Sequence, residues 1–509
     1  MNKIKPTVVL LPTDNRPITY SFPQSICQLA NLNTIVPPRN LMGSLFAPTD
    51  LGLLAKWLEE AMGKVQAGAI LVCIDSLLYG GLIPSRRGND SLKTILARAA
   101  DFVKLKKQVS GDLKLNAQSS IMRISDNNDN TEEKLYWAKY GREIFRWSQL
   151  LHKKEIGLLK SEAELKVAES RIKADVREDY LDTRARNFAV NQKLIDYAVS
   201  GDLDFLIFSQ DDSGQYGLNV FEKDKLIALA EAKNAHNVLA YPGADEMLMT
   251  LIARYLNSER KTETKVALHY SEPDGKNIAS NYEGQNIGRS MECQANAQGL
   301  KIIDSDISSS TVDFHIIVHT GVDRQGDHMW LPGLPDLRLV DTKHSAKRAI
   351  ELIEKAQAPI ALCDIAYSNG ADPGLISLML ERPRLFDRLW SYAGWNTTGN
   401  AVGSALAVAS ACLYARAHNE LNDLMRKRVL FMRLMDDWAY QTQVRKEIQP
   451  DKLVGKDRQS VLSKLMNGYA SKLATVLDFQ PGPIQCTLPW QRTFEVEINL
   501  DSQFVTTMS

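Results

Sequence analysis

Phe205-Leu-Ile-Phe-Ser-Gln-Asp-Asp-Ser-Gly-Gln-Tyr216 is the stretch on which the reading of the fold turns. Phe205 to Phe208 is an apolar run with the length of a buried strand. It stops at Ser209-Gln210, and Asp211 and Asp212 then stand side by side ahead of a Ser-Gly turn and Tyr216. An apolar strand that empties into acids and glycine is how strands end at active sites in α/β proteins. Two adjacent carboxylates repel, and burial beside each other raises the proton affinity of one, which makes it a general-acid candidate. The plainer reading is a strand-end turn, where Asp, Ser and Gly recur for backbone reasons.

The same pattern recurs on both sides of that strand. Thr7-Val-Val-Leu-Leu11 is apolar throughout, which implies burial on both faces and a parallel sheet, and it ends in Asp14-Asn15-Arg16. Ala69 to Asp75 exits into Tyr79-Gly80-Gly81, where the glycines allow positive φ or close backbone approach. Asn237 to Tyr241 runs into Asp245-Glu246, an acid pair that also suits a helix start. Further strands are expected at 119–124, 265–270, 313–319 and 358–364, with helices between them. His315 and His319 share a strand face about 13 Å apart, too far to bind one metal ion together. For His319 a satisfied core histidine is the expected role. Residues 131–200 interrupt the rhythm with long charged helices, in which Tyr180, Arg184 and Arg186 read as surface salt-bridge formers.

This alternation predicts an α/β protein. It is either a (β/α)8-like barrel or a parallel-sheet core, with a helical insertion at 131–200 and a mainly helical C-terminal region. The expected division is an α/β core over 1–410, with room for a second α/β subdomain from about residue 260. Residues 411–509 form a helical region that ends in a short β segment and includes Asp436-Asp437.

The 509 residues carry 61 Lys+Arg against 61 Asp+Glu, so no bulk charge favours nucleic acid or an anionic membrane. Six cysteines, at 27, 73, 293, 363, 412 and 486, show no Cys-x-x-Cys and read as reduced, mostly buried thiols. No His-Glu-x-x-His, Walker loop or Gly-x-Gly-x-x-Gly occurs, and no metal or cofactor is expected. Without a signal-peptide pattern or a membrane-length apolar run, the expectation is a cytoplasmic protein. It would act on a small-molecule or oligosaccharide substrate, with neither nucleic acid nor membrane as partner.

Three segments resemble a large bacterial family known only as a domain of unknown function. They are Leu10-Leu-Pro-Thr-Asp14-Asn-Arg16-Pro17, Leu77-Leu-Tyr79-Gly-Gly-Leu-Ile-Pro-Ser-Arg86 and Tyr392-Ala-Gly-Trp-Asn396-Thr-Thr-Gly-Asn400. That resemblance implies no activity. In chain order, the Asp211-Asp212 pair, the Asp364 to Asp372 exit and the Asn396 to Asn400 helix start also resemble glycoside hydrolases of the hyaluronidase and O-GlcNAc hydrolase type, which are (β/α)8 barrels. This second resemblance implies a retaining glycosidase for 2-acetamido sugars in which the substrate's own acetamido oxygen attacks the anomeric carbon. Asp211 would orient the acetamido group, and Asp212 would protonate the leaving oxygen and then activate water. Asp364, Asn369, Asp372, Asn396 and Asn400 would hold sugar hydroxyls, with Asp14, Arg16, Asp75, Tyr79, Tyr216 and Asp245 lining the same rim. One alternative is a metal-dependent hydrolase using Asp75, Asp211, Asp212, Asp245, Glu246 and His269 as hard ligands. Another is a non-catalytic carbohydrate-binding protein on the same scaffold.

Overall fold

The computed structural model describes residues 5–65, 68–108, 113–329, 340–453 and 455–500. The chain forms two compact units. The first is built on Leu32–Tyr255 with the N-terminal strand, and the second on Leu256–Asn281 and the chain from Asn286 onward.

The first unit holds six parallel strands. They are β1 (Thr7–Leu11), β2 (Asn33–Ile35), β3 (Gly68–Cys73), β4 (Lys114–Ile121), β5 (Phe205–Gln210) and β6 (Val238–Pro242). They lie in the order β2-β1-β3-β4-β5-β6. Val8 to Leu11, Ala69 to Cys73 and Leu206 to Phe208 are wholly buried, as continuous apolar runs in a doubly covered parallel sheet must be. Pro242, which has no N–H to give a ladder, sits on the edge strand β6.

The second unit holds β7 (Thr264–Tyr270), β8 (Leu300–Ile302), β9 (Phe314–His319), β11 (Ile360–Asp364) and β13 (Leu389–Ala393) in the order β8-β7-β9-β11-β13, again all parallel. A two-stranded ribbon pairs β10 (Gly326–Asp327) with β12 (Tyr367–Ser368). An antiparallel pair, β14 (Ile484–Thr487) with β15 (Glu497–Leu500), follows near the end. Numbered from its own first strand, each unit therefore threads its sheet 2-1-3-4-5, the first adding a sixth strand. That doubly wound order places ligands outside the carboxyl ends of the strands, at the point where the order reverses. Of the two expected architectures, the chain has the parallel-sheet core, in two open sheets.

Residues 137–199 fold as three helices, Trp137–Glu155, Glu162–Ser170 and Ala174–Val199. Their apolar positions build a small core around Trp137, Ile144, Trp147, Leu165 and Tyr180. The surface reading of this insertion fails at Tyr180 (0% exposed) and Arg184 (2%). Arg184 lies beside the Tyr180 ring, donates to its hydroxyl and pairs with Glu222, so the insertion is tied to the unit by a buried charge pair. In the second unit, helices Lys343–Lys355, Pro373–Leu380 and Arg458–Leu477 share one core with the sheet. A π-helix over Leu434–Val444 belongs to the same core. No helix among the described residues is long and apolar enough to cross a membrane.

Candidate functional site

In the first unit, strand register brings the predicted residues together. Gln210 pairs with Ile121 on one side and Pro242 on the other, so the residues just beyond β4, β5 and β6 emerge side by side. Arg16, beyond β1, donates to both oxygens of Asp245, beyond β6, at 3.1 and 2.5 Å. The same guanidinium grips Asp14 at 2.8 to 3.0 Å. Because β3, β4 and β5 lie between those strands, this contact spans the carboxyl end of the sheet, where the strand exits form one polar centre. Asp14, Arg16 and Asp245 are 5 to 8% exposed and largely satisfy one another.

Asp75 was expected to end its strand but lies beyond it, in the first turn of a short helix, Ile74–Tyr79. That turn is closed by Gly80 at φ 89°, where a Cβ would meet Pro48 and the Thr49 backbone. Asp75 is 1% exposed and accepts the Ser120 N–H at 2.9 Å. Burial pushes its carboxyl up to about 6, against the pull of the Ser120 hydrogen bonds and Arg86. Tyr79 is buried beneath the Arg186 guanidinium, 5.7 Å from its ring, and burial raises its hydroxyl. Tyr216 turns toward the helical insertion, against His152 and Lys153.

Asp211 and Asp212 occupy the accessible part of this centre. Their side chains are 20% and 34% exposed. Asp211 Oδ2 faces Arg86 at 3.2 Å and Arg123 at 3.4 Å. Asp212 Oδ2 faces Arg123 at 3.4 Å and accepts from the Ser125 hydroxyl at 3.4 Å. Its backbone has φ 44°, a left-handed conformation that a non-glycine residue holds only at a cost. Burial, reinforced by Asp211 next to it, pushes the Asp212 carboxyl up to about 6 despite Arg123 and Arg86. Glu133 ties the two guanidiniums together, accepting from Arg86 at 3.3 Å and Arg123 at 2.8 Å, and Glu132 pairs with Arg123 at 3.0 Å.

Sequence reasoning missed Arg86, Arg123, Glu132 and Glu133. Arg86 closes the quoted Tyr79-Gly-Gly segment, and Glu132-Glu133 is another adjacent acid pair, so both carried a readable signal.

The remaining predicted residues lie in the second unit, at the carboxyl end of its own sheet. Asp364 is wholly buried, and its Oδ2 accepts from the Asp372 N–H at 2.9 Å and the Tyr392 hydroxyl at 2.8 Å. Burial pushes that carboxyl up to about 6; His319 opposes the shift and Asp372 adds to it. His319 bonds Asp372 Oδ2 at 2.8 Å and Ser271 Oγ at 3.3 Å. Burial disfavours the charged imidazole, but Asp372 outweighs it and raises the proton affinity of His319. His319 is thus a satisfied core histidine. Asp372 also caps helix Pro373–Leu380 through the Gly374 N–H.

Asn369 and Asn396 hold left-handed backbones, at φ 61° and 53°, joined by Asn369 N–H to Asn396 C=O at 2.8 Å. The Asn369 amide donates to Asp327 at 2.8 Å. Asn400 sits in the first turn of helix Thr398–Ala417, and its amide donates to the capping Thr397 hydroxyl at 3.2 Å. These are turn and cap roles, each explained by local backbone geometry. Asp437 is fully buried, accepts the Gly394 N–H at 2.7 Å and pairs with Arg433.

The six candidate metal ligands divide in the same way: five lie in the first unit, while His269 is on β7 and bonds His315 at 3.0 Å. Among the described residues no group of three or more His, Cys, Asp or Glu is placed to hold a metal ion. All six cysteines are free, and five are buried.

No curated protein matches the sequence. A family profile, "Protein of unknown function (DUF4127)", matches residues 8–499, and the chain belongs to that family.

Proposed function

For this member of the DUF4127 family we propose an acid–base hydrolase whose centre is the Asp211-Asp212 pair of the first unit, with glycosides of 2-acetamido sugars as its substrates. The observation that carries the reading is the asymmetry of the pair. Asp211 faces two guanidiniums, whereas Asp212 is partly open and its carboxyl is pushed up to about 6. Separating the environments of two neighbouring carboxyls is how one fold supplies an acid and an anion at the same pH. Asp212 gives its proton to the leaving oxygen and then takes one from water. Asp211, held by Arg86 and Arg123, orients the acetamido N–H as the acetamido oxygen closes on the anomeric carbon. The surrounding carboxylates accept hydrogen bonds and donate none, which suits a ligand rich in hydroxyl groups. The residues at the second sheet have no part in this reading.

The test is hydrolysis of aryl glycosides with and without a 2-acetamido group, by wild type and Asp212→Asn. Cleavage confined to acetamido sugars and lost in the variant supports the proposal. Equal cleavage of plain sugars removes the acetamido mechanism. Unchanged cleavage by Asp212→Asn removes Asp212 as the acid.

A further inference from the structure

The second unit contains a buried arginine that forms no ion pair among the described residues; Asp327 and Glu495 act on it only from beyond pairing distance. Among the described residues six arginines are at most 7% exposed, and five of them meet a carboxylate. Arg16 pairs with Asp14 and Asp245, and Arg86 with Glu133 and Asp211. Arg184 pairs with Glu222, Arg426 with Asp423 and Arg433 with Asp437. Arg445 has no ion pair among the described residues.

Among the described residues its guanidinium makes one hydrogen bond, from Nη1 to the neutral Gln441 Oε1 at 3.1 Å. Its Nε is buried with no acceptor. Its guanidinium lies 5.3 Å from the Phe494 ring centroid, and Arg492 lies 5.2 Å from the same centroid. Two guanidiniums therefore flank one aromatic ring. Arg492 pairs with Glu495 at 3.1 Å, whereas Arg445 feels Glu495 and Asp327 only at longer range.

The surroundings carry further signs of a ligand site. Arg445 directly follows the π-helix Leu434–Val444, and π-helical turns concentrate at functional sites. Trp490 and Gln491, in the loop that carries Arg492 and Phe494, hold consecutive left-handed backbones at φ 55° and 58°. Taking a guanidinium out of water with no partner is costly, and contact with one aromatic face recovers only part of that cost. An anion gripped through the Nε edge would give that buried N–H its acceptor.

We infer that Arg445 anchors a binding site for an oxyanion, a phosphate or carboxylate group, in the second unit, separate from the Asp211-Asp212 centre.

Thermal denaturation of the full chain tests this in inorganic phosphate, malonate and chloride at matched ionic strength, for wild type, Arg445→Met and Arg445→Lys. Without an anion, Arg445→Met melts above wild type, because it removes a buried charge that no ion pair holds. Phosphate or malonate raises the wild-type Tm with saturation, and whichever acts identifies a phosphate or a carboxylate ligand. Arg445→Met loses the response. Arg445→Lys, which keeps the charge without the two-pronged edge, weakens it about tenfold. A lower starting Tm in Arg445→Met, no response of wild type beyond chloride, or an equal response in either variant overturns the inference. If Arg445→Met does not fold, the Arg445→Lys response decides.

Discussion

The two units thread their sheets in the same order and gather charged groups at the same end, but they handle that charge differently. In the first, guanidiniums hold the acids: Arg16 between Asp14 and Asp245, and Arg86 and Arg123 among Glu132, Glu133, Asp211 and Asp212. In the second, neutral donors and a histidine hold Asp364 and Asp372, through Tyr392 and the Asp372 N–H on Asp364 and His319 on Asp372, while Arg433 pairs with Asp436 and Asp437. The first cluster stays partly open at Asp211 and Asp212, while Asp364, Asp372 and His319 are 0 to 2% exposed. Topology fixes where polar groups collect. Only access to solvent separates a centre that can meet a substrate from a latch that holds loops together. Exposure and not residue type is thus the reason to place chemistry in the first unit.

The largest effect is expected at the accessible pair. Asp212→Asn lowers glycoside turnover by about 10²- to 10⁴-fold, the usual contribution of a positioned acid. It leaves the melting temperature unchanged or higher, because a repelled carboxyl has been removed. Asp372→Asn shows the opposite pattern, with turnover kept and stability reduced through the loss of His319's charge-assisted partner. Parallel turnover and unfolding assays on the two variants settle the contrast, and a turnover loss in Asp372→Asn as deep as in Asp212→Asn would break it.

Next in size is the guanidinium network. Arg86 is 1% exposed and faces Glu133 and Asp211. Arg86→Met leaves those acids without their cation, and breaking one side of a buried charge pair costs about 3–5 kcal/mol. Urea unfolding followed by circular dichroism should show a loss of that size.

The contrast between the units was only half legible in the sequence. Continuous apolar runs ending in acids disclosed the strands and the Asp211-Asp212 exit, because burial on both faces leaves a pattern that needs no partner to be read. Sheet closure left no such pattern. Whether β1 neighbours β3 or a distant strand is decided by pairing between residues far apart in sequence, so a barrel and two open sheets read alike until the pairing is seen. Asp364 to Asn400 was read as the far side of one rim because strand exits look the same in every unit. Arg123 and Glu133 were passed over for a related reason: charged residues beside a long helical insertion read as solvated, and their burial arises only when that insertion packs on its own core.

A smaller effect is expected from pH. The Asp364 carboxyl is pushed from 3.8 up to about 6 in the folded protein. Below pH 4 the group is protonated whether folded or not. Between pH 4 and 6 the unfolded chain gives up that proton and the folded chain keeps it, so unfolding is favoured as pH rises. Asp364 alone then reduces stability by on the order of 3 kcal/mol across that window. Asp364→Asn removes this contribution, and melting curves at pH 4.5 and 7 should lie closer together in the variant than in wild type. A gap as wide as the wild-type one would mean that Tyr392 and the Asp372 N–H keep the carboxylate charged throughout.

The smallest effect bears most directly on the comparison, since Asp212 and Asn396 share one backbone conformation, at φ 44° and 53°. Glycine tolerates that region freely, whereas a Cβ residue pays about 1–2 kcal/mol there, less for Asn and Asp. Asn396→Gly should therefore shift stability by less than about 1 kcal/mol in either direction and leave turnover intact, because the Asn396 carbonyl that accepts the Asn369 N–H survives the change. Asp212→Gly offers the backbone the same relief but removes the carboxyl. It should match Asn396→Gly in stability and Asp212→Asn in lost turnover. Were both glycine variants to lose only stability, the strained conformation at Asp212 would serve the fold alone, and the first unit would hold its acids for the same reason as the second.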